Sequence, residues 1–354
     1  MKRPKRVSIV DVAKHTGLAV STVSNALRGH QHVKESTRAR VQDVAKRLGY
    51  RASPLAQALR SGRSSAIGVL VPDISNPAYP DIVRGIEDAA ADAGRAIVLC
   101  NADGDDAKQL RALQWLLDSG IDGLILVSQN CSAKQVRALL KQASTYVLVQ
   151  RYAPGFNDDY VGSDNTSIIR AAIEHLCDLG HTRIGYARGP RSSSSVQERV
   201  AVFEAELRRR GLSAEPAMIY EGEHTVNSGF DAGKYFLGLR NPPTAVIANC
   251  DVNAIGVIQA AIDLGYTVPG DLSVVGVDDI DLARLRQINL TTVRQERRTI
   301  GVQAVNLLTA RLQNPRGRPR RVIVPTTLIV RGTTAVPGVR LARDCKFARN
   351  SDPL

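Results

Sequence analysis

Several features that would assign this chain to other classes of protein are missing from its sequence. No stretch approaches the eighteen consecutive apolar residues of a membrane-spanning helix. The basic opening MKRPKR is not followed by an apolar run of seven or more residues, so we expect no secretion signal, no membrane partner and a cytoplasmic location. The chain also has no glycine-rich phosphate loop of the P-loop or dinucleotide type.

Cysteine is scarce as well. The 354 residues contain five cysteines, an odd number at wide spacing: Cys100, Cys131, Cys177, Cys250 and Cys345. Even-numbered, closely spaced cysteines are typical of disulfide frameworks, and paired motifs are typical of zinc sites. We therefore predict reduced thiols, no metal site and no cofactor.

Positive charge is abundant but concentrated in one segment. Residues 1–63 hold fourteen Lys or Arg against three acidic side chains, a net charge of +11 out of +13 for the whole chain. The other 291 residues therefore carry only +2. This distribution is typical of a small segment that meets nucleic-acid phosphates, joined to a larger part that does not. The length of the chain predicts two or three domains.

Within the basic segment, residues 9–28 (IVDVAKHTGLAVSTVSNALR) predict a helix-turn-helix. Ser8 can cap the first helix, with Asp11 in its acidic first turn. Gly17 interrupts the helical period and can take a positive φ, after which a second helix begins. The predicted helices, including a third after the motif, cover residues 9–15, 20–27 and 36–48.

The second helix of this motif has a distinct outward face. Val23 faces the first helix and Ala13 allows the two helices to cross closely, which leaves Val20, Ser21 and Asn25 pointing outward near the N-terminus of the second helix. A protein that reads the major groove needs its side chains there. The alternative is a helical hairpin without a ligand, but the surrounding positive charge favours a DNA-binding domain.

The linker over residues 51–63 contains a further helical signal. Ser53 is a suitable N-cap and Pro54 suits the first helical position, so the sequence predicts a helix of about two turns over residues 54–60. This helix is either a simple tether or a segment that forms on DNA. In the second case Leu59 would be an apolar wedge between base steps in the minor groove.

From Ala66 the pattern changes to short apolar runs that alternate with amphipathic helical stretches. The runs are AIGVLV, AIVLCN, GLILV, YVLVQ, RIGYA, MIY, AVIANC and LSVVGV. Such strands between helices predict parallel sheets covered on both faces, and eight strands exceed one comfortable sheet. We predict two α/β subdomains, followed by a tail without a periodic pattern. The first subdomain consists of residues 64–162 and 293–337, and the second of residues 163–292. The tail covers residues 338–354.

Polar residues follow several of these strands. In open parallel sheets, ligands bind outside the carboxyl ends of the strands. Those ends carry Gln150 and Arg151, Asn249 and Cys250, and Asp278. Small polar groups, an arginine and carboxylates suit a neutral polar ligand such as a sugar or a nucleoside.

Two stretches, VSIVDVAKHTGLAVSTVSNALRG and GYRASPLAQALRSGRSSAIGVLVPDISNP, resemble the lactose-repressor (LacI/GalR) family of bacterial transcription regulators, and the likeness continues to about Thr333. The resemblance implies an all-α helix-turn-helix domain (1–50), a hinge (51–63) and a periplasmic-binding-protein-like α/β effector domain (64–337) of two doubly wound parallel-sheet subdomains. It also implies a homodimer or tetramer that reads a palindromic double-stranded DNA operator and inserts a pair of hinge leucines at its centre.

The resemblance carries DNA-binding roles over to six positions: a base-reading pair, a further groove contact, two phosphate contacts and the wedge. The base-reading pair is Val20 and Ser21, and Asn25 is the further groove contact. Thr22 and Ser24 are the phosphate contacts, and Leu59 is the wedge. Ala19 departs from the family pattern, because members usually have a serine there that caps the reading helix. A phosphate contact at that position is therefore in doubt.

The resemblance also implies an effector site at the strand ends. The predicted effector-binding residues are Tyr79, Gln150, Ser193, Ser195, Arg199, His224, Asn249 and Asp278. Asp278 would hold paired hydroxyl groups, with helix capping as its alternative role, and Arg199 would face the ligand or pair with a neighbouring glutamate. His224 stands where an aromatic ring often stacks on the ligand. Gln150 and Cys250 depart from the usual aspartate and asparagine, which leaves the identity of the ligand open.

Together these observations predict a ligand-controlled transcriptional regulator, a repressor in particular, and not an enzyme. One alternative is a carbohydrate-binding transport protein, which would need a secretion signal and has no use for a basic DNA-reading domain. The other is an enzyme that uses Asp278 and Asp251 as an acid/base pair. No positioned nucleophile, metal spacing or cofactor loop accompanies that pair in the sequence.

Overall fold

The computed structural model describes residues 7–27, 32–50, 65–143 and 145–338. The chain divides into two compact units, residues 1–65 and 66–354. The predicted linker helix with Leu59, and the predicted tail beyond residue 338, lie outside the described residues. Within the described part, no helix is both long enough and apolar enough to cross a membrane.

The first unit contains three helices around a small apolar core. The helices are α1 (Ile9–Thr16), α2 (Val20–Leu27) and α3 (Glu35–Arg47). α1 begins with a capping box, in which the Ser8 hydroxyl accepts from the Asp11 amide and the Asp11 carboxylate accepts from the Ser8 amide. Gly17 ends α1 in the left-handed conformation, at φ 66°. The predicted cap and the predicted glycine turn are both confirmed.

The first half of the second unit is built on a parallel six-stranded sheet. Its strands are β1 (Ala66–Val71), β2 (Ala96–Asn101), β3 (Gly123–Val127), β4 (Tyr146–Val149), β5 (Tyr160–Ser163) and β11 (Arg321–Val324), in the spatial order β11-β5-β4-β3-β1-β2. Its helices are α4 (Pro80–Asp92), α5 (Asp106–Asp118), α6 (Lys134–Gln142) and α11 (Arg297–Gln313). Side chains of α4 and α11 pack on one face of the sheet, and those of α5 and α6 on the other.

The second half repeats this arrangement. Its strands are β6 (Ile184–Arg188), β7 (Ile219–Glu221), β8 (Ala245–Ala248), β9 (Ser273–Asp278), β10 (Thr291–Gln295) and β12 (Thr326–Ile329), in the spatial order β12-β10-β9-β8-β6-β7. Its helices are α7 (Asn165–Asp178), α8 (Ser194–Arg209), α9 (Val226–Leu237) and α10 (Asp251–Asp263). α7 and α8 cover one face of the sheet, and α9 and α10 the other. β12 runs antiparallel to β10, and the other strand pairs described in the two sheets are parallel.

The central strands are apolar along their whole length because helices bury both of their faces. β3 (GLILV) and β8 (AVIA) are buried at every position. β2 is an edge strand, and its residues are exposed or half-buried. The prediction of two doubly wound parallel-sheet subdomains is therefore confirmed. The eight apolar runs omitted β5, β10, β11 and β12, whose sequences mix polar and apolar residues.

The predicted subdomain boundary is wrong near the end of the chain. The chain crosses between the halves three times, near residues 164, 296 and 325. β10 lies in the second sheet as far as Gln295, and β12 pairs with it. Thr333 continues this attachment, since its Oγ1 donates to the Val274 carbonyl at 2.7 Å. Residues 326–335 thus belong to the second half and not to the first. The run RVIVPTTLIV predicts strands, but it contains no signal that Pro325 separates two strands of different sheets.

Helices α4 and α11 touch backbone to backbone. A Cβ atom at Gly85 would collide with the carbonyl oxygen of Arg298, and one at Gly301 would collide with the carbonyl oxygen of Ile82. Only glycine permits this close approach. The contact fixes α11 against the first half, together with Arg297 at its first position.

We predict that Gly301→Ala destabilises the protein by about 2 kcal/mol, because the added methyl group overpacks the contact with α4 even though alanine is the better helix former. The free energy of unfolding in urea measures the effect. Asn306→Ala lies on the exposed side of the same helix and should change that free energy by less than about 0.5 kcal/mol. Equal stability of Gly301→Ala and the wild-type protein would contradict the close crossing.

Candidate functional site

The α2 helix of the first unit carries most of the predicted DNA-reading residues. Val20 and Ser21 are exposed at its N-terminal end, and Thr22 and Asn25 are partly exposed. Four of the six predicted DNA-binding residues therefore reach the surface of one short helix. The fifth, Leu59, lies outside the described residues.

Ser24 differs from this group. It lies on the buried side of α2 with Val23 and Ala26, and it is only 8% exposed. The periodicity of the helix explains this, because Val23 and Ala26 face the core between the three helices and Ser24 lies between them. We therefore leave Ser24 out of the proposed DNA interface. Ala19 directly precedes α2 and offers only its carbonyl, which accepts from the Val23 amide at 3.1 Å.

In the second unit, loops at the carboxyl ends of strands from both halves enclose an inner cavity of about 60 Å³. This cavity has room for a few water molecules or a small hydroxylated group. It opens into an outer vestibule of about 780 Å³. Five residues line both spaces, and they are Asn76, Tyr79, Ser128, Arg151 and His224.

The structure brings most of the predicted effector-binding residues together. Seven of the eight line the inner cavity: Tyr79, Gln150, Ser195, Arg199, His224, Asn249 and Asp278. Ser193 does not. It is fully buried, and its hydroxyl lies 3.0 Å from the Ser195 hydroxyl, which is the one that reaches the cavity. The start of α8 turns this side chain inward, and the role of Ser193 as a ligand contact stays a prediction.

Six further polar residues line the cavity and were not in the predicted set. They are Asn76, Ser128, Arg151, Cys250, Gln295 and Arg297. Arg151 and Cys250 directly follow predicted residues at strand ends, so their positions gave a usable signal. Gln295 and Arg297 come from the second crossing between the halves, and no local pattern indicates that this crossing passes beside the cavity.

Three non-glycine residues at the cavity have a left-handed backbone. Ser128, Gln150 and Asp278 lie at φ 53°, 65° and 129°, and each stands at the end of a central strand. Such conformations cost roughly 1–3 kcal/mol each and are concentrated at functional sites. Here they turn the chain sharply out of the sheet, so that the side chains reach the cavity.

A chain of side-chain amides joins the two halves beside the cavity. Gln150 Nε2 donates to Gln295 Oε1 at 3.0 Å, and Gln295 Nε2 donates to Asp278 Oδ1 at 2.6 Å. Gln150 Oε1 accepts from the Ser163 amide at 3.2 Å, at the end of β5. A group bound at any member of this amide chain would therefore affect hydrogen bonds that connect one half to the other.

Arginines support both sides of the cavity. Arg199 is 5% exposed and donates to the Asn249 carbonyl and to Asn165 Oδ1, both at 2.9 Å. Arg297 pairs with Asp81 of α4 at 2.7 Å and donates to the carbonyl of Asp278. Arg199 therefore has only neutral partners among the described residues, whereas Arg297 has a carboxylate.

Two carboxyl groups are buried near each other in the second half. Burial raises the pKa of Asp278 in spite of the nearby Arg297 and Arg199. Burial and the charge of Asp278 raise the pKa of Asp251 to about 7. Asp251 does not line the cavity, and its oxygens accept from the Thr292 hydroxyl at 2.5 Å and the Ile280 amide at 2.9 Å. An acid/base pair acting on a ligand would need both groups at the cavity, which this geometry does not provide.

His224 is uncharged in this site. Burial, reinforced by Arg151 and Arg199, lowers the pKa of His224 to about 3. Its Nδ1 lies 3.7 Å from the Cys250 sulfur, and burial raises the pKa of that thiol. Among the residues that the structure describes, no group of three or more His, Cys, Asp or Glu side chains is arranged to hold a metal ion.

A helix-turn-helix unit followed by a two-lobed domain with a polar cleft defines a class, the ligand-responsive transcription regulators. Comparison with family models agrees with this class. Residues 8–53 match the model of bacterial regulatory proteins of the lacI family, and residues 173–334 match that of the periplasmic binding protein-like domain.

Individual relatives match most of the chain. The ribose operon repressor of Escherichia coli (strain K12) is 32% identical over 324 residues, which are 91% of this chain and 98% of that protein. Catabolite control protein A of Priestia megaterium is 34% identical over 304 residues, 86% of this chain and 92% of that protein. The crystal structure of the lac repressor dimer bound to operator and the anti-inducer ONPF matches at a TM-score of 0.84 and 27% identity, over 94% of this chain and 100% of that one. This chain belongs to the lacI family of bacterial regulatory proteins and is a DNA-binding transcriptional regulator.

The buried carboxyl pair predicts a pH dependence of stability. Because the pKa of Asp251 rises from its ordinary 3.8 to about 7, the folded protein holds a proton that the unfolded chain releases, and this contribution to stability is lost as pH rises from about 4 to 7. Asp251→Asn removes the titration. We expect the variant to be less stable than the wild-type protein at pH 5, and the deficit to shrink by at least about 1 kcal/mol at pH 7.5.

Urea unfolding at the two pH values measures this difference. Asp263→Asn, on the exposed end of the same helix, is the matched control. Its free energy of unfolding should differ from that of the wild-type protein by the same amount at both pH values. A deficit for Asp251→Asn that does not change with pH would contradict the raised pKa.

Proposed function

We propose that this regulator is a cytoplasmic repressor that reads a palindromic operator as a homodimer or tetramer, and that a sugar or nucleoside-like effector in the cleft controls its operator affinity. The observation that supports the proposal most directly is the inner cavity. Both halves of the second unit contribute polar side chains to it, and these are connected to each other across the cleft.

The chemistry of the cavity suits a ligand with several hydroxyl groups. Asp278 offers a carboxylate, Asn249 offers an amide and Arg199 offers a guanidinium, so neighbouring hydroxyls can both donate and accept. Tyr79 and His224 add flat surfaces against which a ring can pack. The name of the ribose operon repressor, one of the relatives, supports a sugar as the ligand class.

The amide chain connects the ligand cavity to the arrangement of the two halves. A hydroxyl that bonds to Asp278 would share the carboxylate with Gln295, and Gln295 is bonded in turn to Gln150 of the other half. The filled and the empty cleft therefore differ in the hydrogen bonds that join the halves. A difference of this kind is what a coupling free energy between two sites requires. A coupling free energy on the order of 1–3 kcal/mol would change operator affinity about 5- to 150-fold.

A palindromic operator requires two copies of the reading helix related by a two-fold axis. Residues 77–90 are a candidate part of the dimer contact. Within this segment Ile82, Gly85 and Ile86 are buried within the chain itself, against α11 and the first sheet. We therefore assign to the proposed dimer contact only the exposed side of α4, which carries Arg84 and Glu87.

The test of the proposed function is selection of genomic DNA fragments by the purified full-length protein, followed by sequencing. We expect the bound fragments to share one palindromic sequence. Fragments with no sequence in common, both without and with a mixture of sugars and nucleosides, would contradict sequence-specific reading.

The reading helix can be tested on the recovered palindrome. Ser21→Ala should weaken specific binding about tenfold, because a base contact contributes roughly 1–3 kcal/mol of discrimination, and should leave binding to unrelated DNA unchanged. Fluorescence anisotropy at one fixed salt concentration measures both affinities, since phosphate contacts vary steeply with salt. Gln42→Ala, exposed on α3, is the control. Equal losses on the palindrome and on unrelated DNA would remove Ser21 from the base-reading pair.

The effector cleft can be tested in the same assay. Asp278→Asn should bind the operator as the wild-type protein does, while the sugar or nucleoside that changes wild-type operator affinity acts only at about thirtyfold higher concentration, as expected for losing hydrogen bonds to a charged group. Glu174→Gln, exposed on α7, should respond normally. A normal response of Asp278→Asn would show that the effector binds elsewhere.

A further inference from the structure

Arg151 is a cation without a bonded partner in the cleft. It directly follows Gln150 at the end of β4, and it lines both the inner cavity and the outer vestibule. Across the described ranges, no hydrogen bond or ion pair reaches its guanidinium group. Other poorly exposed arginines of the first half are paired at short distances, as in Arg137 with Asp158 (2.8 Å) and Arg311 with Asp159 (2.6 Å).

A half-buried guanidinium group without a bonded counterion favours the binding of an anion. Burial lowers the pKa of Arg151, and the neighbouring Arg199 adds to this effect. Withdrawing a charge from water is compensated only when a partner of opposite charge or a set of hydrogen bonds replaces the water. Arg151 is half-buried and faces the vestibule, where water solvates it in part, and a bound anion that replaces this water would be its first bonded partner of opposite charge.

The surroundings of Arg151 reinforce this need for negative charge. Arg199 has only neutral hydrogen-bond partners, Asn165 and the Asn249 carbonyl. His224 contributes no charge of either sign at neutral pH, because its pKa is lowered to about 3 by burial, Arg151 and Arg199. Asp278 is the single carboxylate among the described residues that line the inner cavity. Two guanidinium groups in the cleft are thus without an ion-paired carboxylate.

The position of Arg151 indicates where the ligand charge would lie. Asp278 lines only the inner cavity, whereas Arg151 lines the inner cavity and the vestibule. A ligand that places hydroxyl groups against Asp278 can therefore extend a substituent outward past Arg151. Five carboxyl groups line the vestibule farther out. Asp103 pairs with Lys108, Asp105 caps α5 through the Lys108 amide, and Asp73 accepts from the Ser75 hydroxyl at 2.7 Å, while Asp106 and Glu223 complete the set.

We propose that the effector is an anionic sugar derivative, whose phosphate or carboxylate group is bound by Arg151 while its hydroxyl groups occupy the inner cavity. This proposal rests on the proposed function and specifies the charge of its effector. Guanidinium groups bind both anions with paired N–H donors, so phosphate and carboxylate share the chemistry on which the proposal depends.

Glu223 offers a competing explanation. It is exposed in the second half, lines the vestibule and attracts Arg151 electrostatically without being bonded to it. Arg151 and Glu223 could instead form an ion pair across the mouth of the cleft when it closes. The two explanations differ in sign: removing Glu223 strengthens anion binding if a ligand is the partner, and weakens ligand binding if Glu223 is the partner.

The test uses the full-length protein and matched probes, measured by calorimetry and thermal unfolding at constant ionic strength. The probes are ribose with ribose 5-phosphate, glucose with glucose 6-phosphate and with glucuronate, and inorganic phosphate against an equivalent of chloride. We expect at least one anionic sugar to bind about tenfold or more tightly than its neutral parent. Whether the phosphate or the uronate shows the preference decides which anion Arg151 binds.

Variants show whether Arg151 is responsible. Arg151→Gln should abolish the preference for the anionic sugar and any stabilisation by inorganic phosphate, while Glu223→Gln should keep or increase both. Arg208→Gln, exposed on α8, removes the same charge away from the cleft and should behave as the wild-type protein.

Three results would overturn the proposal: a neutral sugar that binds at least as tightly as its anionic derivatives, an anion preference that survives Arg151→Gln, or no probe, inorganic phosphate included, with an effect that depends on Arg151. The proposal would also fail if Glu223→Gln weakened the binding of the anionic sugar as much as Arg151→Gln does. Operator binding is measured separately, so a neutral sugar that alters it would leave the proposed function intact while this proposal fails.

Discussion

The guanidinium group of Arg297 makes the contact on which the geometry of the cleft depends. It stands at the second crossing between the halves, pairs with Asp81 of the first half and donates to the Asp278 carbonyl of the second. Its helix is fixed in place by the glycine contact between Gly85 and Gly301. Backbone packing on one side thus determines where the carboxylate of Asp278 is presented on the other.

Two adjacent buried aspartates of the second unit, Asp278 and Asp279, have different hydrogen-bond partners. Asp279 is fully buried, and hydrogen bonds from Arg331, Arg294 and Arg284 keep its pKa below the usual range although burial alone would raise it. The adjacent Asp278 receives its side-chain hydrogen bond from a neutral amide, and burial raises its pKa. Asp279 therefore has a structural role as the partner of three arginines, whereas Asp278 remains available to a ligand.

Local patterns predicted the parts of the molecule whose structure depends on neighbours in sequence. The Ser8 cap and the Gly17 turn follow from single side chains and a few backbone angles, and both are present. The buried central strands follow from continuous apolar runs. The burial of Ser24 and Ser193 was not predicted, because a polar residue near a site can face either the ligand or the core, and one residue of rotation along a helix decides between them.

The sequence by itself determined the helix-turn-helix and the doubly wound halves, and it placed Gln150, Asn249 and Asp278 at the cleft because parallel strands place their carboxyl ends at one edge. The resemblance to the lacI family supplied the other predicted residues that line the cavity, Tyr79, Ser195, Arg199 and His224. Only the tertiary structure decided that Gln295 and Arg297 complete the cavity, that residues 326–335 return to the second half and that Arg151 has no bonded partner among the described residues. These features depend on which distant segments meet. Local periodicity records the environment of a residue, burial or exposure, but not the identity of its neighbours.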